Sequence, residues 1–245
     1  MAGLRPVAAM RTPGVRGPWL TRRMRKPAPV IVPKDIGDLP YADMLAPHEG
    51  GLADGGDYDT VHFDQVTFEE ENASGARFLE CALSRVTVTG GRYRRTRFSN
   101  SWLKDVRMTL PDLAESGWSE TTVVGGVIAG VQAFGSVWDQ AVLSGCKLDS
   151  VNFRDARLTR VRFQDCLLRD VDFSGATLKQ TTFTGCTLTR VDFSRTKLDR
   201  VDLRGAELGL IVGPEPLRGA IVNSAQLTVI APLLAEAVGL TVDDG

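Results

Sequence analysis

The chain has few of the residues that usually build active sites. Its 245 residues include only two histidines, His48 and His62, and four cysteines. The sequence has no CxxC pair and no Cys/His cluster, so it lacks the spacing of a zinc site. It also lacks the Walker, GxGxxG and GxSxG motifs in a strand-to-helix context. We therefore expect a protein that is not an enzyme, with no cofactor and no catalytic, cofactor-binding or metal-ligating residue.

Long apolar runs are missing as well. No run reaches the roughly 18 apolar residues that a membrane-spanning helix requires. Arg22-Arg23 is not followed by the apolar segment of a secretory or twin-arginine signal, so we expect no export signal. Met24 is a second candidate start of translation besides Met1, and the sequence leaves that choice open. We predict a cytoplasmic, bacterial protein that does not contact a membrane.

Aromatic residues make up only 7% of the chain, but its apolar residues follow a strict period. An apolar residue occupies every fifth position from Tyr58 to Leu208, and from Leu143 onward each is Leu or Phe. Two residues before each apolar centre lies a small residue, except at Glu71 and Pro111. A helix repeats near 3.6 residues and a strand at 2, so neither explains a period of five. A fixed short period predicts a solenoid, in which each unit buries its apolar side on the next.

The later units carry a further signature, an Asp or Asn directly before the apolar centre. Val171–Gly175, Val191–Arg195 and Val201–Gly205 show it, and these units resemble the pentapeptide-repeat family, whose consensus is Ala-(Asp/Asn)-Leu-x-x. The resemblance covers roughly residues 56–210 and is strongest from residue 141 onward. It implies an all-β solenoid, a right-handed quadrilateral β-helix with four pentapeptides in each coil.

Four pentapeptides per coil place residues 20 positions apart directly above one another. The centres should then form interior columns, and Ser174, which follows a centre, should point outward. On the surface, Asp149 should lie beside Arg169 and Asp170 beside Arg190. The predicted columns are Phe153, Phe173 and Phe193; Leu158, Leu178 and Leu198; Leu148, Leu168, Leu188 and Leu208; and Phe163, Phe183 and Leu203.

All four cysteines, Cys81, Cys146, Cys166 and Cys186, occupy the small inward position. The last three are 20 residues apart, so they should stack in one column. Three stacked thiolates could bind a soft metal ion, but a closed site normally needs four ligands. Cysteine also fits a small buried position, as Ala and Val do in other units. We interpret the cysteines as reduced core residues, which suits the cytosol.

The sequence predicts four segments. Residues 1–40 form a basic, proline-rich, disordered leader, and residues 41–55 an acidic lead-in. Residues 56–223 form the repeat β-helix, with a loop at 209–216 where the five-residue period fails. We expect a bulge or loop at Glu71, because a buried unpaired carboxylate is costly.

Residues 224–245 form a helical cap and tail. Asn223 or Ser224 should cap a short helix near 224–230, and Pro232 should begin a second one that ends near Gly239. Both helices are almost entirely apolar. They should therefore cover the open edge of the last coil, or else form a homodimer interface.

These features favour a non-catalytic binding or scaffold protein whose partner is another, unidentified protein. The chain would be a monomer or a C-terminal homodimer. The resemblance implies an alternative: some family members resemble duplex DNA in shape and charge, bind type II topoisomerases such as DNA gyrase, and protect against quinolones. Such mimicry needs a long acidic face, whereas residues 146–210 carry mixed charge.

Overall fold

The computed structural model describes residues 31–211 and 217–241, which include every repeat from Tyr58 to Leu208. Most units form a three-residue strand around the apolar centre and then turn sharply. The turn uses left-handed backbone two residues after the centre, for example at Glu80 (φ 52°) and Gly125 (φ 66°). Because the chain turns every five residues, four units close one coil, and the next coil lies about 4.8 Å above it.

Three sides of the solenoid are parallel sheets of eight, ten and eight strands, and the fourth is a ladder of single bridges. We number them faces 1 to 4 in chain order. Face 1 consists of Asp57–Asp59, Arg77–Leu79, Arg97–Ser99, Gly117–Ser119, Val137–Asp139, Arg157–Thr159, Thr177–Lys179 and Lys197–Asp199. Face 2 consists of Ala46–Pro47, Val61–Asp64, Ala82–Ser84, Trp102–Lys104, Thr122–Val124, Val142–Ser144, Arg162–Gln164, Thr182–Thr184, Val201–Asp202 and Ala220–Ile221. Face 3 consists of Thr67–Glu69, Thr87–Thr89, Arg107–Thr109, Val127–Ala129, Lys147–Asp149, Leu167–Arg169, Thr187–Asp192 and Glu207–Ile211. Face 4 runs through Asn72, Arg92, Asp112, Gln132, Asn152, Asp172 and Asp192.

The interior confirms the predicted columns. The Phe173 ring stacks between those of Phe153 and Phe193, with centroids 5.2 and 5.4 Å away. The Phe163 and Phe183 rings stack at 4.8 Å in the neighbouring column. The leucine columns are in register as well, since each strand centre pairs with the one 20 residues later. The period of five therefore specifies one continuous apolar core.

The chain before the first coil packs against face 2. Short 3-10 helices span Ile36–Asp38 and Ala42–Met44. Between them Leu39 and Tyr41 are buried in a small cluster with Ala82 and Trp102. The Trp102 indole N–H donates to the Pro33 carbonyl at 3.2 Å. Residues 33–40, placed in the leader by sequence, thus contact the solenoid, whereas residues 1–30 lie outside the described part.

The prediction of a bulge or loop at Glu71 is wrong, because the chain keeps the regular coil register there. Asn72 bridges Arg92 in the ordinary register, and the Arg92 N–H donates to the Glu71 carbonyl at 2.7 Å. Glu71 lies in the first coil, where no earlier coil covers it, and its side chain lies against the backbone of Gly51. The carboxylate is therefore only half-buried, which removes the reason to distort the chain.

The C-terminal end differs from the expectation in two ways. The face 3 strand continues through Gly209 to Ile211, so the predicted loop does not begin at residue 209; residues 212–216 lie outside the described part. A single helix, α1 (Ser224–Ala237), replaces the two predicted helices, with Pro232 inside it. Proline has no backbone N–H, so Pro232 leaves the carbonyl of Thr228, four residues earlier, without its helical hydrogen bond. Thr228 is exposed, and its carbonyl can accept a hydrogen bond from water instead. Before α1, Leu217 and Val222 pack against the core.

Candidate interaction surfaces

The inner side of α1 closes the last coil. Gln226 and Ile230, one helical turn apart, are buried. The Gln226 side-chain amide donates to the carbonyls of Leu203 (2.6 Å) and Ala206 (2.7 Å). Asn223 and Gln226 also form a reciprocal capping box that fixes the start of the helix. These contacts satisfy carbonyls at the end of the solenoid that would otherwise be open.

A second side of α1 is apolar and exposed. Leu227, Leu234 and Val238 are 49%, 37% and 73% exposed. With Ala231 they follow the spacing i, i+4, i+7, i+11, which places them on one stripe roughly 100° around the helix from Gln226. We call these four residues the outer stripe. Such a stripe is typical of a helix that packs against another helix.

The surface of the solenoid carries mixed charge. The predicted neighbours are confirmed: Arg169 pairs with Asp149, and Arg190 with Asp170. The guanidinium of Arg169 holds the pKa of the Asp149 carboxyl below its usual value. Further pairs between neighbouring coils join Arg77 to Asp57, Arg85 to Asp64 and Arg160 to Asp139.

Each of the four faces carries both acids and bases. Face 4, where Asp172 bridges Asp192, also carries Arg92, Arg94 and Arg154. Arg154 pairs with Asp172 at 3.0 Å. In the described part of the chain, no face is an uninterrupted acidic stripe.

The four cysteines are free and buried. The Thr187 N–H donates to the Cys166 carbonyl, and the Leu167 N–H to the Cys146 carbonyl, so the last three lie in one column as predicted. Burial raises the pKa of Cys81 to about 11. The neighbouring Cys166 thiol, together with burial, raises the pKa of Cys146 and Cys186.

We expect Cys81, Cys146, Cys166 and Cys186 to resist alkylation in the folded protein and to react fully after denaturation. All four thiols are buried out of reach of the reagent, and the raised pKa values of Cys81, Cys146 and Cys186 also keep these three protonated. Mass spectrometry after timed iodoacetamide treatment, with and without denaturant, measures this difference. Fast labelling of the native protein, or one zinc ion per purified chain, would contradict it.

Both histidines lie at the start of the solenoid. The rings of His48 and Phe63 lie 4.8 Å apart, so His48 covers the end of the core. The His62 Nε2 atom lies 3.0 Å from the Ser84 hydroxyl, a pair that sequence reasoning missed. Burial lowers the pKa of His62. The two residues are 22 positions apart, and only the coil register could have revealed the contact.

Among residues 31–211 and 217–241, no group of three or more His, Cys, Asp or Glu side chains is arranged to hold a metal ion. Within these residues, no helix combines the length and the apolar character needed to cross a membrane. The features that stand out are therefore surfaces rather than pockets with reactive groups.

A parallel β-solenoid of about eight coils, closed by a terminal helix, defines a repeat protein. Residues 136–211 match a family model described as a pentapeptide repeat region, so this part of the chain is a pentapeptide repeat. This match lies within the segment that the sequence assigned to that family.

Solved pentapeptide repeat proteins are similar to the chain. QnrB1, described as a plasmid-mediated fluoroquinolone resistance protein, is 19% identical in its trypsin-treated form; the match covers 81% of this chain and 98% of QnrB1, with a TM-score of 0.44. HetL, from the cyanobacterium Nostoc sp. strain PCC 7120, is described as a pentapeptide repeat protein involved in heterocyst differentiation regulation. It is 15% identical over 71% of this chain and 93% of HetL, with a TM-score of 0.32. No curated protein matches the chain.

Proposed function

We propose that this chain is a non-catalytic, cytoplasmic scaffold that works by binding other proteins. The observation that carries the proposal is the exposed apolar surface of α1. The side with Gln226 and Ile230 is buried against the last coil. Leu227, Leu234 and Val238 of the outer stripe are each more than a third exposed, and an exposed apolar stripe of this kind marks a binding surface.

The binding partner that suits the outer stripe best is the outer stripe of a second copy of this chain. Such an interface is self-complementary by symmetry. Glu236, the one charged residue of α1, lies on the opposite side of the helix from Leu227 and Leu234. Two stripes can therefore meet without placing these like charges against each other. The resulting scaffold is a homodimer joined at its C-terminal ends.

Leu234→Glu should convert a dimer into a monomer, because a carboxylate would be placed at the centre of the paired stripes. Ala225→Glu is the matched control: it adds the same charge at an exposed position on the opposite side of α1, and an acid in the first helical turn is favourable. Light scattering gives the molar mass of the three proteins. A wild-type chain that stays monomeric, or a Leu234→Glu variant that stays dimeric, argues against this interface.

The alternative, DNA mimicry toward a type II topoisomerase, finds less support. A protein surface that binds DNA is arranged to meet phosphates, and it repels guanidinium groups. Bases such as Arg157, Lys179 and Lys197 on face 1 interrupt any acidic stripe.

We expect the purified protein not to inhibit DNA supercoiling by gyrase at low micromolar concentration and physiological salt. The mixed charge of the four faces is the reason. A supercoiling assay over a range of protein concentrations tests this, with the gyrase reaction alone as the reference. Dose-dependent inhibition would favour the mimic over the scaffold.

A further inference from the structure

One coil of the solenoid is free of charge. From Thr121 to Trp138 the sequence contains no Asp, Glu, Lys or Arg. Its outward positions are Thr122, Val124, Gly125, Val127, Ala129, Gly130, Gln132, Phe134, Gly135 and Val137. The coils on either side carry charges at equivalent positions, such as Arg107 before it and Lys147 after it. Loss of charged residues from a patch of otherwise ordinary surface is typical of the centre of a protein interface.

On face 3 the uncharged surface extends to Leu110 in the preceding coil. Leu110 lies at a corner with left-handed backbone (φ 60°) and is 65% exposed. The other non-glycine residues with positive φ are polar, because Asn, Asp and similar side chains tolerate this conformation best. The left-handed backbone itself is required here, because every unit turns at this position. What is unusual is the exposed apolar side chain of Leu110, which gains little burial at a corner where polar residues are the rule.

A groove of about 490 Å³ opens beside Leu110 at the corner between faces 3 and 4. The walls are formed by Glu70, Thr89, Arg92 and Leu110, and the floor by Gly90 and Gly91. A Cβ atom on Gly90 would collide with the Glu70 carboxylate, so the glycine makes room for that carboxylate. The carboxylate accepts the Gly91 N–H at 3.3 Å. A partner side chain can therefore enter the groove beside Leu110 and Arg92, while the space over Gly90 is taken by Glu70.

Bases surround this apolar surface. Arg107 and Lys147 flank Val127 on its two sides in the face 3 ladder, about 4.8 Å away along the stack. Arg92 lines the groove. None of the three makes an ion pair with another described residue, whereas nearby Asp149 is paired with Arg169. The rim of the patch thus carries three bases that are available to carboxylates, while the Glu70 carboxylate in the groove accepts the Gly91 N–H.

We infer that this part of face 3, the face 3 patch, binds an acidic segment of a partner protein. The patch consists of Leu110, Val127 and Ala129, the groove at Gly90, and the rim of Arg92, Arg107 and Lys147. Apolar side chains of the segment pack on Leu110 and Val127, and its carboxylates pair with the rim. The inference rests on the proposed scaffold function and names the partner's chemistry, and it concerns a surface separate from α1.

Selection of random peptides displayed on phage, with the full-length protein immobilised, tests the inference. Enriched peptides should combine Asp or Glu with Leu, Phe or Trp. Their affinity should fall at least about tenfold on the double variant Arg107→Glu/Lys147→Glu. The double variant Lys179→Glu/Lys197→Glu, which reverses two exposed bases on face 1, should bind like the wild type. Absence of enriched peptides, or equal binding to both double variants, would overturn the inference.

Leu110→Asn separates binding from folding. Asparagine tolerates left-handed backbone better than leucine, so the variant should melt at a higher temperature than the wild type. It should nevertheless bind the selected peptides more weakly, because the apolar wall of the groove is lost. Unchanged peptide affinity would place the site elsewhere on the protein. In that case the face 3 patch is not the binding site. Self-association through α1 is a separate proposal, and light scattering tests it independently.

Discussion

Phe173→Ala should lower the free energy of unfolding by about 3–5 kcal/mol, as truncation of a buried phenylalanine does in other proteins. The Phe173 side chain is fully buried. Its ring stacks on Phe153 and Phe193 and meets the edges of Phe163 and Phe183, with centroids 6.4 and 6.3 Å away. A solenoid coil touches only its neighbours, so no other layer can fill the cavity. Denaturant titration followed by circular dichroism measures the loss.

The control for this variant must be an exposed residue nearby. Ser174 was expected to point outward and to tolerate change, but it is buried: the Arg154 side chain covers it and donates to its hydroxyl at 3.2 Å. Thr177, exposed on face 1, is the better choice. Thr177→Ala should change stability by less than about 0.5 kcal/mol. Equal denaturation midpoints for Phe173→Ala and Thr177→Ala would contradict the assignment of the interior columns.

Removal of residues 224–245 should make the protein aggregate. The deletion takes away Gln226, which bonds the carbonyls of Leu203 and Ala206, and Ile230, which is buried at the end of the core. The last coil would then present free strand edges and apolar side chains to other molecules. Static light scattering and the yield of soluble protein report the outcome.

Leu234→Glu is the matched control for the deletion, since it alters the outer stripe and leaves Gln226 and Ile230 in place. This variant should stay soluble and folded. If the truncated chain is instead a soluble, folded monomer, α1 does not cap the solenoid, and its role is association alone.

The fold was predictable because the period of five indicates a solenoid, and the resemblance to the pentapeptide-repeat family implies four units in each coil. Large apolar residues at every fifth position, with small residues two before them, can be buried together only by stacking. The ends were less predictable. Leu39 and Tyr41 lie outside the period, so their packing on Trp102 left no pattern in the sequence. Pro232 suggested two helices, but a single helix continues through it.

The candidate surfaces were only partly predictable. The apolar character of the C-terminal segment was evident, but its division into an inner side and an outer stripe depends on which residues meet Leu203 and Ala206. The uncharged run from Thr121 to Trp138 is visible in the sequence. Its connection to Leu110 and to the groove at Gly90 is not, because these residues come together only when 20-residue coils are stacked.

Hydrogen exchange of the amides of α1, measured at low and high protein concentration, tests the scaffold proposal most directly. If the outer stripe binds a second copy, exchange in Leu227–Ala237 should slow as concentration rises, because the paired helix opens less often. The strands of the solenoid, such as Arg157–Thr159, should exchange at the same rate at both concentrations. Exchange in α1 that is independent of concentration up to the high micromolar range would contradict a scaffold joined through this helix.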